Sequence, residues 1–208
     1  MSKSLFSSTL LLGLALLVAA CDSSSNSDNS DPVVAQRVTE LPADPYTGFA
    51  PSGQPITAGI YTFFSLRTNS IVAATDSASN AWDVAFKGTS ILVNGGISGP
   101  GNGAAQVLND VFSDIKIAPA SGWAQDSVTG FAIPTGSGNG WYNYEPSTFT
   151  ITPIPGRVIL IRTADNRYAK ISILSYYKGQ PAIPDRTSES RFLTFDFVFQ
   201  PDGTLSFE

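Results

Sequence analysis

Hydrophobic and polar positions divide this chain into stretches with different periods. Residues 10–20 are apolar without interruption, residues 22–31 contain only Ser, Asn and Asp, and from residue 59 onward the dominant period is two. A period of two places successive side chains on opposite faces of an extended strand. Ile60 to Leu66 reads as a β-branched and aromatic strand, followed by a turn at Thr68-Asn69 and a second strand from Ser70 to Thr75. In Trp82-Asp83-Val84-Ala85-Phe86-Lys87 the alternation predicts Trp82, Val84 and Phe86 on one face, with Gly88 turning the chain into Thr89 to Val93. Arg157–Arg162 and Tyr168–Tyr177 flank Ala164-Asp165-Asn166, a hairpin turn in which Asn tolerates a positive φ. A last hairpin is expected between Phe192–Phe199 and Leu205-Ser206-Phe207, through Pro201-Asp202-Gly203. One stretch departs from this pattern. From Ala104 to Ile115, Val107, Val111, Phe112 and Ile115 approach helical spacing, so a helix is the expectation there. The whole predicts an all-β single domain of many short, mostly antiparallel strands and hairpins.

The beginning of the chain follows another logic. Lys3 precedes the apolar run, which closes with Val18-Ala19-Ala20-Cys21 before the chain turns polar. A basic head, a core too short to span a bilayer comfortably and small residues before a cleavage point describe a secretory signal peptide. With Cys as the first residue after cleavage, the pattern resembles a bacterial lipobox, which implies acylation of Cys21 and loss of residues 1–20. Residues 21–36 then read as the lipidated Cys and a flexible, acidic, Ser-rich tether. The aspartates of residues 22–31 lack the Gly and terminal Glu of a calcium loop. Five prolines between residues 32 and 58 give an extended lead-in, and residues 37–208 form the folded domain.

Composition narrows the chemistry. The net charge is −5, with Lys and Arg scattered, which suits neither nucleic acid nor adhesion to anionic lipid. Cys21 is the sole Cys, so no intramolecular disulfide is available. The chain contains no His, which removes Ser-His-Asp and Cys-His catalysis, HExxH zinc sites and His-ligated copper. Asp76, Asp83, Glu145, Asp165 and Asp196 are scattered, and no spacing singles out a catalytic pair. No catalytic residue and no protein-ligated metal are therefore expected, and the protein is read as a non-enzyme. The run from Gly95 to Gly103 lacks the Lys-Ser/Thr of a phosphate loop and reads as a tight β-loop.

Several segments taken together resemble the HmuY-like family. They are Trp82–Phe86, then Val93–Ala104 with its glycines, Gly140-Trp141-Tyr142-Asn143-Tyr144, Arg157–Asp165, Tyr168–Ile171, Tyr176-Tyr177, and Phe195–Phe199 with Asp202-Gly203, all in the family's order. The resemblance implies an all-β lipoprotein of Bacteroidota-type bacteria on the outer membrane, at the cell surface or its periplasmic face. By enterobacterial sorting rules Asp22 would instead favour the inner membrane; the resemblance favours the outer. It further implies capture of haem or a related porphyrin and transfer to a TonB-type outer-membrane receptor. Characterised members hold haem iron through paired His or, in some relatives, Met. By alignment one such ligand falls just after Tyr144, near Pro146, and the other within residues 130–138, where Ala, Ile, Pro, Thr, Ser and Gly offer no strong ligand. Haem proteins also use Tyr. Tyr46, Tyr61, Tyr142, Tyr144, Tyr168, Tyr176 and Tyr177 are present, and Tyr142 and Tyr144, on one side of a candidate strand beside the family's ligand loop, are the ligand-binding candidates.

Two other functions fit the same anchor and fold. One is a module for a glycan or another small ligand, stacked on Trp123, Trp141 and Tyr142. The other is a partner-docking envelope lipoprotein without a small ligand. The sequence assigns no role to residues 118–140.

Overall fold

The computed structural model describes Met1 and residues 33–208. Cys21, the apolar run before it and the Ser-rich stretch lie outside the described residues. The chain is all-β, with thirteen strands and one 3-10 turn at Ala74–Asp76 among the described residues. No described helix is long and apolar enough to cross a membrane.

Two antiparallel sheets make the body. The smaller joins β4 (Thr62–Ser65), β5 (Ser70–Val72), β6 (Val84–Lys87) and β7 (Ser90–Val93) in the order β5-β4-β6-β7. The larger joins β1 (Ala35–Pro42), β8 (Ala104–Asn109), β11 (Arg157–Arg162), β12 (Tyr168–Tyr177) and β13 (Ser190–Gln200) in the order β1-β13-β12-β11-β8. Two hairpins stand apart from them, β2 (Tyr46–Phe49) with β3 (Pro55–Thr57) and β9 (Tyr142–Glu145) with β10 (Thr150–Pro153).

Period-two patterning explains how the sheets meet. Val84, Phe86, Ile91 and Val93 from the small sheet join Ile159, Ile161, Ile171, Phe195 and Phe197 from the large one in a single core. Phe195 sits at the junction, with ring centroids 5.8 Å from Phe64 and 5.5 Å from Phe86. Such aromatic contacts add directional preference to the area they bury. Trp82 departs from its expected side. It lies before β6 begins and packs with Ala85 and Leu92 on the outer face, its ring 5.0 Å from Phe63. The break in alternation occurs at Asp83, which turns back between the sheets. On β13, Asp196 points away from the phenylalanine face and pairs with Arg37 of β1 at 2.6 Å.

The expected helix at Ala104 to Ile115 is not formed. Residues 104–109 are β8, in register with β11 from Ala104↔Arg162 to Asn109↔Arg157. Ala105 and Val107 face the main core while Leu108 faces the other side. Pairing with β11 fixes the period at two, and beyond Asp110 a buried lysine takes the carbonyls that a helix would need. Lys170 Nζ donates to the carbonyl oxygens of Phe112 and Ile115, both at 2.7 Å. Burial pulls its pKa below the usual lysine value.

The expected closing hairpin is also rearranged. The chain does reverse at Gly203, but Leu205–Phe207 pairs with residues 116–118 and not with β13. Ala118 N–H donates to Leu205 O and Phe207 N–H to Lys116 O, each at 2.8 Å. Phe207 thereby seals an outer core with Ile115, Val158, Leu160 and Val198. Two of the turns match their expected chemistry, with Asn69 at φ 49° and Asn166 at φ 63°.

The glycine run wraps a buried asparagine. Asn94 donates to Trp82 O at 2.8 Å and Ser79 O at 2.9 Å, and its side-chain oxygen accepts Gly101 N–H at 3.1 Å. A Cβ on Gly95 would collide with the Gly103 backbone, so close backbone approach is the reason for glycine there. Residues 118–140 also have structural work. Asp126 accepts Val93 N–H at 3.1 Å and Ala132 N–H at 2.8 Å, which pins this stretch to β7 and sets Ile133 into the main core.

Asp83 joins the two sheets through its carboxylate, which accepts Leu66 N–H at 2.8 Å and Ala164 N–H at 3.4 Å. Burial pushes its pKa up to about 6, and the two amides only partly oppose that rise. The folded protein therefore holds this proton where the unfolded chain, near 3.8, has released it. Its contribution to stability is present below about pH 4 and is lost as pH rises through about 6, by about 2–3 kcal/mol. In urea unfolding between pH 4 and 7, the stability of wild type relative to Asp83→Asn is expected to fall by that amount. Parallel pH curves for the two proteins would contradict it.

Candidate functional site

A cavity of about 590 Å³ opens where both hairpins lean over one end of the sandwich. The end of β12 forms its floor. Tyr176 and Tyr177 are buried there, with Tyr176 5.9 Å from Trp141 and 5.5 Å from Tyr177 between centroids. Trp141 is fully packed and its indole N–H donates to Thr89 O at 2.9 Å, which fixes the start of β9 against the β6–β7 turn. The Tyr177 hydroxyl oxygen accepts Ile151 N–H at 2.9 Å and so holds β10 over the floor.

The rim is aromatic and open. Tyr46 and Phe49 from the first hairpin, and Tyr144 and Phe149 from the second, line the cavity, with Phe49 68% and Phe149 59% exposed. Large apolar rings left in water at a concave site are the informative exception to burial. Phe149 and Arg191 also hold positive φ values, 59° and 70°. Bulky residues rarely adopt that region, and such strain concentrates at sites with work to do.

Two arginines reach the cavity in different states. Arg191 lies 4.8 Å over the Tyr46 ring and donates to Asp44 O at 3.0 Å and Asp44 Oδ2 at 3.4 Å. Asp44 is buried and also accepts Gly59 N–H at 3.0 Å, so the Asp44–Arg191 pair ties the first hairpin to β13. Arg191 Nε is buried without a hydrogen-bond partner among the described residues. Arg186 is exposed, lies 4.3 Å over Phe149 and donates to Ser147 O at 3.2 Å. Among the described residues no carboxylate lies within salt-bridge distance of it. The neighbouring Asp185 turns its Oδ1 to Thr187 and Ser188, which holds its pKa below the usual carboxylate value.

The phenols differ in how readily they ionise. Burial drives Tyr176 far above the ordinary tyrosine value, a rise that Arg191 only partly offsets. Burial also raises Tyr177, against the opposing effect of its bond from Ile151.

Of the two tyrosines expected at the site, Tyr144 lines the cavity at 41% exposure. Tyr142 is 9% exposed and lies beneath the rim, 5.1 Å from Trp141. Tyr46, Tyr176 and Tyr177 join Tyr144, so four of the chain's seven tyrosines gather here. Tyr61 and Tyr168 are elsewhere, under Lys87 and against Trp123. No residue of 130–138 and no atom of Pro146 lines the cavity. Of the aromatics named for a glycan, Trp141 and Tyr142 are buried and Trp123 is half-buried. Arg186, Arg191, Phe49 and Phe149 carried no local motif.

The model of the HmuY protein family matches residues 60–155, from the lead into β4 through β10. Over that stretch, just under half of the chain, the sequence resembles the HmuY family. Among solved structures it is similar to an HmuY-like heme binding protein of Bacteroides vulgatus, with 18% identity over 80% of this chain and 92% of that one and a TM-score of 0.48. A lipoprotein of Bacteroides fragilis gives 18% identity, 80% and 90% coverage and a TM-score of 0.47. The apo HmuY analog of Tannerella forsythia gives 15% identity, 84% and 100% coverage and a TM-score of 0.47. No curated protein matches the chain.

The bond from Ile151 N–H to the Tyr177 hydroxyl generates a test of how the second hairpin is held. Tyr177→Phe leaves that half-buried amide without its acceptor, which costs about 1–2 kcal/mol. Faster hydrogen exchange at Ile151 and Tyr144, with the large sheet unchanged, is the expected outcome; uniform protection across the protein would contradict it.

Proposed function

We propose that this HmuY-like protein binds haem or a related porphyrin in the cavity between its two hairpins. The observation that carries this reading is the conjunction of an aromatic floor, aromatic rims on two sides and guanidinium groups at the mouth. A volume of about 590 Å³ lies within the range of sites that take small molecules of cofactor size. Planar ligands with a large apolar face and an anionic edge match such a lining. The family resemblance supports the same reading, since the best-known HmuY-like proteins capture haem.

The haem ring fits this cavity better than haem iron does. Aromatic side chains can cover the ring faces, whereas the lining offers only tyrosines among the residues that usually ligate haem iron. Tyr144 is placed for contact, and Tyr142 would act through the packing beneath it. We further infer that Cys21 carries acyl chains that hold the protein on the bacterial outer membrane, where a TonB-type receptor could accept the ligand. In this role the protein is a carrier and not an enzyme.

Two outcomes are expected. Hemin titrated into the protein gives a saturable one-to-one absorbance shift, weakened about tenfold or more in Phe149→Ala by loss of ring stacking. In the same titration Tyr142→Phe changes little and Tyr144→Phe changes affinity; a titration indistinguishable from a buffer blank would sink the porphyrin reading. Separately, mass spectrometry of membrane-extracted protein is expected to show a lipid mass on a peptide beginning at Cys21. Cys21→Ser should abolish both that mass and membrane retention, whereas an unmodified, membrane-free wild type would refute the anchor.

A further inference from the structure

We infer that the cavity recognises the carboxylates and faces of a porphyrin and not its central metal, with Arg186 receiving a ligand carboxylate. This rests on the porphyrin reading above and specifies what that site selects.

Three observations converge on it. The first is the state of the floor. Tyr176 and Tyr177 would have to ionise to ligate ferric iron well, yet both are buried, and the Tyr177 oxygen already accepts Ile151 N–H at 2.9 Å. Burial raises both phenols, so a phenolate there is unfavourable before any metal arrives. The second is the inventory. The chain contains no His, and its single Met is not among the residues lining the cavity. A porphyrin held here therefore gains most of its affinity from contacts that do not involve the ring centre.

The third is the contrast between the two arginines. Arg191 is spent on Asp44 and on the Tyr46 ring, where it fastens the hairpin. Arg186 has the Phe149 face beneath it and one bond to a backbone carbonyl, with no carboxylate partner among the described residues. A guanidinium has five N–H donors in a planar fork that fits a carboxylate through two parallel bonds. Stacking on Phe149 presents that fork at the cavity mouth while the ring's edge remains free to meet a ligand. Asp185, the other charged group of this loop, is turned towards Thr187 and Ser188, so it opposes an incoming anion less than its sequence position suggests.

The test compares four ligands on the full chain in mild detergent, each against a detergent-only blank: hemin, zinc protoporphyrin, metal-free protoporphyrin and its dimethyl ester. The three free-acid ligands are expected to bind within about threefold of one another, and the diester about tenfold or more weaker. Arg186→Gln should weaken the free acids about tenfold and leave the diester unchanged, and Arg186→Lys should recover part of the loss. Arg186 is exposed, so an unaltered thermal transition should accompany these effects. Hemin bound tenfold or more tightly than the metal-free ring, with a charge-transfer band lost in Tyr46→Phe or Tyr144→Phe, would overturn the inference and leave porphyrin binding intact. Equal weakening of acid and diester by Arg186→Gln would overturn it too. Absence of binding by all four ligands would instead overturn the porphyrin reading itself.

Discussion

The packing of Phe195 between the two sheets is the contact on which the rest of this architecture depends. Its ring meets Phe64 edge-on and stacks on Phe86, so one side chain from the longest strand of the large sheet engages two strands of the small one. Removing a fully buried Phe from such a junction costs about 3–5 kcal/mol, comparable to much of a domain's net stability. The chain has no intramolecular disulfide to share that burden. Asp83 and Asn94 are placed around this apolar centre as polar ties, each satisfied by backbone groups from distant segments.

The cavity follows from where that packing stops. At the end of β12 the paired tyrosines take over from the aliphatic and phenylalanine core, and the two hairpins lean outward instead of extending either sheet. Polar contacts fasten each hairpin: Arg191 to Asp44 at the first, and at the second Ile151 to the Tyr177 hydroxyl, Trp141 to Thr89 O and Arg186 to Ser147 O. The phenolic floor thus serves two ends, closing the core beneath and offering ring faces above. Burial that keeps those phenols neutral favours stacking over metal ligation.

Charge is arranged with similar economy. Most cations of this acidic protein are committed to carboxylates or to backbone carbonyls, as with Arg37 on Asp196 and Lys170 on the 112–115 turn. Arg186 lies over an aromatic ring at an open mouth, with one bond to the Ser147 carbonyl and no carboxylate within salt-bridge distance among the described residues. Long-range steering by net charge would repel an anionic ligand, so local geometry must provide the attraction.

The all-β class, the strands on either side of Asn166 and the aromatic face of β13 were legible because period-two patterning and turn residues act locally. The family's ordered motifs likewise pointed to the fold that the match over residues 60–155 supports. Local signals failed where long-range pairing competed. Residues 104–115 approached helical spacing, but 104–109 became a strand because β11 offered a partner, and Leu205–Phe207 left β13 because residues 116–118 presented a free edge. Tyr144, singled out for its place beside the family's ligand loop, lines the cavity, whereas Tyr46, Tyr176, Tyr177 and Arg186 were not singled out. The sequence by itself determined alternation, turn positions, the absence of histidine and the supply of tyrosines. Only the tertiary structure decided which tyrosines meet, because Tyr46 and Tyr176 are separated by most of the chain and are joined by strand order, not by spacing. It alone also separated the two arginines, one paired and one open, since that distinction depends on what each guanidinium touches.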